Sequence, residues 1–203
     1  MNKGFTTKSW DRAVANLEKF NLRIKTYLMF KPPFMNEADA LDHCVKWIGA
    51  VAERSDEISV NPMNIQRGTV IDRLHRHNEY RPPWLWSLVE MIRQAHPLIH
   101  PEGGVNGDPD QVSRLIVHPT AGGKIRGSHN CGACDAEVVA AIERYAVSGS
   151  LLEFDGLSCE CETVWRNEVD LERKLPLPLG LSKPRRGSVT VSYTHLTLPT
   201  MIR

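Results

Sequence analysis

Apolar positions along the first hundred residues follow two alternating rhythms. Trp10, Val14, Leu17 and Phe20 fall near helical spacing with polar residues between them, which predicts a helix over 7–21. Ile24, Tyr27, Leu28, Met29 and Phe30 make a short apolar run, which predicts a strand over 23–30. Lys31-Pro32-Pro33 stops that strand, because proline cannot donate to a ladder. Asn36 is placed to cap a helix whose apolar face is Ala40, Leu41, Cys44, Val45, Trp47, Ile48 and Val51. A second strand is expected over 57–62, then helices over 70–77 and 84–95. Helices alternating with strands over connections this short are the grammar of a parallel sheet with crossover helices. Two strands do not make a stable sheet, so the pattern reads as the second half of something larger.

The texture changes over 97–110 to a linker rich in proline, glycine and aspartate. Leu115-Ile116-Val117 predicts a strand, followed by a glycine-rich loop over 120–127. Val138, Val139, Ile142 and Tyr145 share one side of a helix expected over 135–146, and Leu151, Leu152 and Phe154 suggest another short strand. Periodicity is lost after Leu175. These boundaries divide the chain into a sheet-and-helix part (1–97), a cysteine-rich part (98–182) and a tail (183–203).

Composition is that of an ordinary globular protein, with 41% hydrophobic and 24% charged residues among 203. No run of about 18 apolar residues occurs, and the N-terminus lacks the apolar stretch of a signal peptide, so a cytoplasmic location is expected. Five cysteines in a reducing compartment point to metal or chemistry before disulfides. The net charge is +1. Lys183, Arg185, Arg186 and Arg203 stand without an acid in the tail, leaving 21 basic against 24 acidic side chains before it. Nucleic-acid contact must therefore rest on local patches.

Cys131-Gly132-Ala133-Cys134 and Cys159-Glu160-Cys161 are two close pairs separated by 24 residues. Each pair holds two sulfurs at a distance one metal can bridge, and together they complete a tetrahedron. The first pair directly precedes a predicted helix, whose N-terminal dipole favours thiolate. Structural zinc fits such a closed set, with His129 able to replace one cysteine; an iron–sulfur site, reduced free thiols or redox pairs use the same residues. Cys44 lies on an apolar helix face and reads as a core residue.

Lys31 sits at the end of the first predicted strand, and Asn61, Asn64 and Gln66 at or beyond the end of the second. In parallel α/β barrels ligands bind at those ends, and amides suit a nucleoside or amino-acid ligand. Capping of the turn around Pro62 would use the same residues. Arg67, Arg73, Arg76 and Arg81, interleaved with histidines and followed by Tyr80, Trp84 and Trp86, could grip phosphates and stack bases. A solvated helix face followed by core tryptophans has the same pattern. Lys124 and Arg126 in the glycine-rich loop form a second phosphate patch.

Several strings narrow the reading. Asn2-Lys3-Gly4-Phe5-Thr6, Lys31-Pro32-Pro33-Phe34 and Asn61-Pro62-Met63-Asn64-Ile65-Gln66-Arg67-Gly68-Thr69 resemble the second half of the Elp3-like radical-SAM barrel. Glu79-Tyr80-Arg81-Pro82-Pro83-Trp84-Leu85-Trp86 and Gly127-Ser128-His129-Asn130-Cys131-Gly132-Ala133-Cys134 resemble the archaeosine-biosynthesis branch of that family. The resemblance covers roughly 2–175. It implies an archaeal enzyme acting on tRNA with an archaeosine synthase subunit as partner. In that family S-adenosylmethionine and a [4Fe-4S] cluster release archaeosine from a lysine adduct of a 7-deazaguanine. It also implies that the strand-end residues Lys31, Asn61, Asn64 and Gln66 lie on the S-adenosylmethionine side.

The family's CxxxCxxC cluster motif does not occur in this chain, which is therefore expected to be a C-terminal part, inactive alone. The string from Val191 to Thr200 resembles translated sequencing-adapter DNA, so the tail is expected to be non-native and disordered. The fold expected is α/β: half of a partial radical-SAM (β/α) barrel plus a small cysteine-rich metal-binding module. Another Elp3-like tRNA modifier, or a non-catalytic zinc-stapled module that binds RNA or a partner, are the alternatives.

Overall fold

The computed structural model describes residues 6–100, 113–175 and 200–202. Helix α1 (Thr7–Glu18) begins at a capping box in which the Thr6 hydroxyl accepts from the Ser9 amide and the Ser9 hydroxyl accepts from the Thr6 amide. Strand β1 (Arg23–Phe30) buries Ile24, Thr26, Leu28 and Phe30 on one face, the period of two that a half-covered strand requires. Helix α2 (Glu37–Ala52) is capped by the Asn36 side chain, which accepts from the Asp39 amide at 2.7 Å. Strand β2 (Glu57–Pro62), helices α3 (Val70–Arg76) and α4 (Leu85–Ile99), and strand β3 (Arg114–Val117) follow.

β1 and β2 are parallel, with Phe30 opposite Pro62; β2 and β3 are parallel, with Val60 opposite Val117. The three strands therefore end at one shared edge, which the loops 31–36, 63–69 and 118–134 surround. The sheet order is β3-β2-β1-β4, where β4 (Thr200–Ile202) pairs antiparallel with Arg23–Lys25. Of the tail expected to be disordered, these three residues form a short strand and the rest lies outside the described residues. The linker expected over 97–110 lies mostly outside them too.

Helix α5 (Asp135–Ser148) ends at Gly149, whose φ of 68° is a left-handed C-cap. The short strand expected at 151–154 is instead a 3-10 turn, Leu151–Phe154. The Ser150 hydroxyl accepts from the Leu152 amide there, and Phe154 turns inward to stack on Tyr145, with ring centroids 5.5 Å apart. Pro97 does not end α4, which runs on to Ile99 because that residue is fully buried. Helix α6 (Glu160–Lys174), absent from the sequence reading, packs on α2 through a narrow stripe that includes Trp165 and Val169.

The boundary expected at residue 97 does not divide the core. β3 continues the sheet, and one apolar cluster joins Leu28, Ile48, Leu88 and Ile92 to Val138, Ile142 and Trp165. Truncating any of the fully buried aliphatic members to alanine would cost about 2–5 kcal/mol. Cys44 belongs to this core, and burial pushes its thiol pKa upward. Among the described residues no helix is long and apolar enough to cross a membrane.

Candidate metal centre

The cysteine pairs converge where two helices begin. Cys134 is the residue before α5 and Cys159 the residue before α6, and neither sulfur caps its helix. Both helix N-termini thus direct partial positive charge towards the sulfurs. Cys131 Sγ lies 4.0 Å from Cys134 Sγ and 3.7 Å from Cys159 Sγ, and Cys134 Sγ lies 3.6 Å from Cys161 Sγ. All four sulfurs lie within 4.8 Å of one another. A tetrahedral ion with metal–sulfur bonds of about 2.3 Å has edges close to this. Sulfurs this close cannot each bind a different iron of a cubane cluster, so the geometry fits one ion such as zinc.

Local chemistry makes the site. The Asp135 carboxylate, at the first turn of α5, accepts from the Asn130 amide at 3.0 Å and the Gly132 amide at 3.1 Å. This folds Cys131 back over the helix, with Gly132 in the left-handed region at φ 94°. Asn130 Nδ2 donates to Cys134 Sγ at 3.4 Å, and Trp86 Nε1 donates to Cys161 Sγ at 3.2 Å. Such donors hold ligating thiolates in place. The Cys131 thiol is pulled down to about 7 by the backbone amides of Cys134 and Ala133, whereas burial pushes Cys134 and Cys161 up. The centre therefore has an open side, Cys131 and Cys159, and a buried side whose thiols ionise when a cation balances their charge.

His129 does not join the four sulfurs. Its Nδ1 meets the Gly127 carbonyl at 2.8 Å, and desolvation lowers its pKa. The centre is instead tied to the loop before α4. The His129 amide donates to the Pro83 carbonyl at 3.1 Å, Arg81 Nη2 to the His129 carbonyl at 2.9 Å, and the Trp86 amide to Asn130 Oδ1 at 3.2 Å.

The strand-end residues divide into anchors and open groups. Lys31, expected on the cofactor side, is buried with φ 51°, and its ammonium is paired with the Glu37 carboxylate. Glu37 also accepts from the Trp84 amide at 2.9 Å, and the Tyr80 hydroxyl donates to the Lys31 carbonyl at 2.7 Å. Lys31 is thus an anchor, because a buried ammonium needs the carboxylate it has. Asn61 and Gln66 are exposed and Asn64 half-buried, with Gln66 Nε2 donating to Asn64 Oδ1 at 2.7 Å.

The basic residues divide likewise. Arg67, Arg73 and Lys124 are exposed. Arg126 donates to Asp72 at 2.7 Å and to the Ile65 carbonyl at 3.1 Å, and Arg76 reaches the same carboxylate at 3.1 Å. Hydrogen bonds from Arg126 and the Gly68 amide hold the Asp72 carboxyl below its ordinary range. The Arg81 guanidinium lies over the Trp84 ring, 3.8 Å from its centroid.

Sequence reasoning missed the acids that complete this region. Glu37 is fully buried, Glu168 accepts from Trp84 Nε1 at 3.1 Å, and Glu172 accepts from the Ala38 amide at 2.9 Å. Desolvation raises the Glu172 carboxyl pKa. The one signal available was the spacing of Cys161, Trp165 and Val169 at four-residue steps, which marks α6 as a helix.

Comparison with known proteins supplies relatives. No protein-family model matches the chain, and no solved structure matches it. Over 172 residues, 85% of this chain and 46% of the relative, it is 34% identical to archaeosine synthase subunit beta of Methanosarcina acetivorans. It is 32% identical over 171 residues to the protein of that name from Thermococcus kodakarensis, covering 84% of this chain and 49% of the relative. A third relative, an uncharacterised protein of Methanocaldococcus jannaschii, is 29% identical over 184 residues, 89% of this chain and 47% of that one. The chain is thus similar, across most of its own residues, to about half the length of archaeosine synthase subunit beta.

Proposed function

We propose that this chain is part of a radical-SAM enzyme that forms archaeosine in tRNA, as a stretch of an archaeosine synthase subunit beta working with a partner subunit. The similarity to two relatives of that name carries the reading. A continuous matching stretch of 172 residues within 203 must include residues 32–172, and with them both cysteine pairs and the sheet-edge loops from Pro32 onward. The parallel strands are then part of a partial (β/α) barrel, with the substrate side at their C-terminal ends.

In this reading S-adenosylmethionine bound to a reduced [4Fe-4S] cluster supplies the radical chemistry. The cysteines of this chain do not fit that cluster, since four sulfurs close on one ion and leave no open position. They hold a structural zinc that fixes the loop before α4. The Lys31–Glu37 pair and Tyr80 shape the end of β1, Asn61, Asn64 and Gln66 face the cofactor side, and Arg67, Arg73 and Lys124 approach phosphates. The closeness of all four clustered sulfurs, within 4.8 Å of one another, also supports a second reading, a zinc-stapled module that binds RNA without chemistry.

A chimera separates the two. This chain is placed in the M. acetivorans protein instead of the matching stretch, and tRNA is assayed for archaeosine. The enzyme reading expects archaeosine formation and 5′-deoxyadenosine release from the chimera and neither from the chain alone. A folded, zinc-loaded chimera that binds tRNA and makes no archaeosine would support the second reading.

A further inference from the structure

The loop that leaves β1 is built to display an aromatic ring. Pro32 and Pro33 stiffen the backbone, and Phe34 follows with φ 68°, a conformation that residues with a side chain rarely adopt. The residue is nevertheless 60% exposed. Here the strain is upheld from below, where the Lys31–Glu37 pair and the Tyr80 hydroxyl on the Lys31 carbonyl fix the start of the loop. Nothing in that network uses the Phe34 ring.

The neighbouring loops carry a segregated charge. Residues 61–81 and 118–129 hold six arginines and lysines against two acids, while the rest of the chain holds 19 against 22. One of those acids, Asp72, is already neutralised by Arg126 and Arg76. The loops are joined at one edge. The Met63 amide donates to the Phe30 carbonyl at 3.0 Å, and the Ile65 amide to the Arg126 carbonyl at 2.8 Å. The exposed Phe34, the exposed amides at Asn61 and Gln66, and the exposed cations at Arg67 and Lys124 thus lie on the loops at one end of the sheet, with the exposed Arg73 on the helix α3 that follows them. A π face, base-edge hydrogen-bonding groups and phosphate-pairing cations together match an unpaired nucleotide. An apolar protein partner would need no amides or cations, and an acidic peptide no ring.

We infer that Phe34 is a stacking platform for an unpaired base of the RNA, with Arg67, Arg73 and Lys124 on the flanking phosphates. The inference rests on the tRNA reading above and adds how this chain holds the RNA. Its test is the affinity of the folded, zinc-loaded chain for a tRNA transcript across a salt series. Phe34→Ala is expected to weaken binding about tenfold with the salt slope unchanged, and Phe34→Tyr to retain wild-type affinity. Phe34→Leu, which keeps apolar surface and loses the π face, should bind nearly as weakly as Phe34→Ala. Arg73→Ala and Lys124→Ala should each reduce the salt slope by about one. Phe34→Leu binding like wild type would overturn the platform, since an apolar contact would then suffice. So would Phe34→Ala without effect. If the Phe34 effects appear while the chimera makes no archaeosine, the enzyme reading fails and the platform stands. If archaeosine forms while Phe34→Ala binds like wild type, the platform alone fails.

Discussion

The thiolate centre and the sheet edge are built in opposite ways. At the centre four sulfurs within 4.8 Å of one another, aided by Trp86, Asn130 and two helix N-termini, form a cluster that could hold one metal ion. At the edge the buried groups satisfy one another, Lys31 with Glu37 and Asp72 with two arginines, and the open groups point outward. The first region needs only an ion. The second is a frame that presents side chains to something large. The two meet at the start of α4, where Arg81, Pro83 and Trp86 touch the cysteine-bearing loop. Metal at the centre should therefore hold the edge in shape.

Metal removal is the strongest way to break that arrangement. Structural zinc sites contribute binding energy directly to folding, so chelation or Cys134→Ser should lower stability by about 5 kcal/mol or more. Elemental analysis should find one zinc in the wild type and none in the variant, and thermal unfolding should show the loss. Acid should act in the same direction, because thiols must lose their protons to bind metal and zinc affinity falls as pH falls. A metal-free protein with an unchanged unfolding midpoint would show that the core stands without the staple.

How much of this was legible follows from sequence distance. The two cysteine pairs announce themselves through spacing within four residues, and β1 and β2 through short apolar runs closed by proline. Helix α6 was not read, because only Cys161, Trp165 and Val169 are buried in a strongly polar segment. Glu37 lies 47 residues from the Trp84 amide it accepts, and Glu168 is 84 residues from the indole it binds. No local pattern encodes such pairs, so Lys31 was expected on the cofactor side and not in a buried pair. The 3-10 turn at Leu151–Phe154 was masked by an apolar run that fits a strand equally well.

The buried pair at the edge should give the next largest effect. Glu37→Ala leaves the Lys31 ammonium buried without a counter-charge and the Trp84 amide without an acceptor, at a cost of about 3–5 kcal/mol. Joint replacement by Lys31→Met and Glu37→Gln removes both charges, keeps a side-chain oxygen for the Trp84 amide and should cost much less. Chemical denaturation of the two variants tests this. Equal losses would mean that packing, not charge, anchors the loop.

Trp86 sharpens the coupling between the regions. Trp86→Phe keeps the buried ring and deletes the N–H on Cys161 Sγ, and zinc affinity should fall about tenfold by competition with a chelator. Fold stability of the zinc-saturated variant should change by about 1 kcal/mol. An unaltered affinity would assign the indole to packing alone.

The smallest effect is expected at Asp72, which is not bonded to any of the four sulfurs. Asp72→Asn removes the acceptor charge that Arg126, Arg76 and the Gly68 amide share. Its carboxyl is depressed in the folded protein, so its stabilisation is complete above the unfolded carboxylate value of about 3.9 and is lost as pH falls below it. Wild type and Asp72→Asn should therefore differ at neutral pH and converge in acid. The arginines that pair with it are partly open to water, so the readout is local: faster hydrogen exchange of the Ile65 amide, which is bonded to the Arg126 carbonyl. Zinc content should stay the same, because none of the four sulfurs is bonded to Asp72 or its arginines. Loss of zinc from Asp72→Asn would mean that the edge holds the metal centre in place, the reverse of the dependence argued from α4.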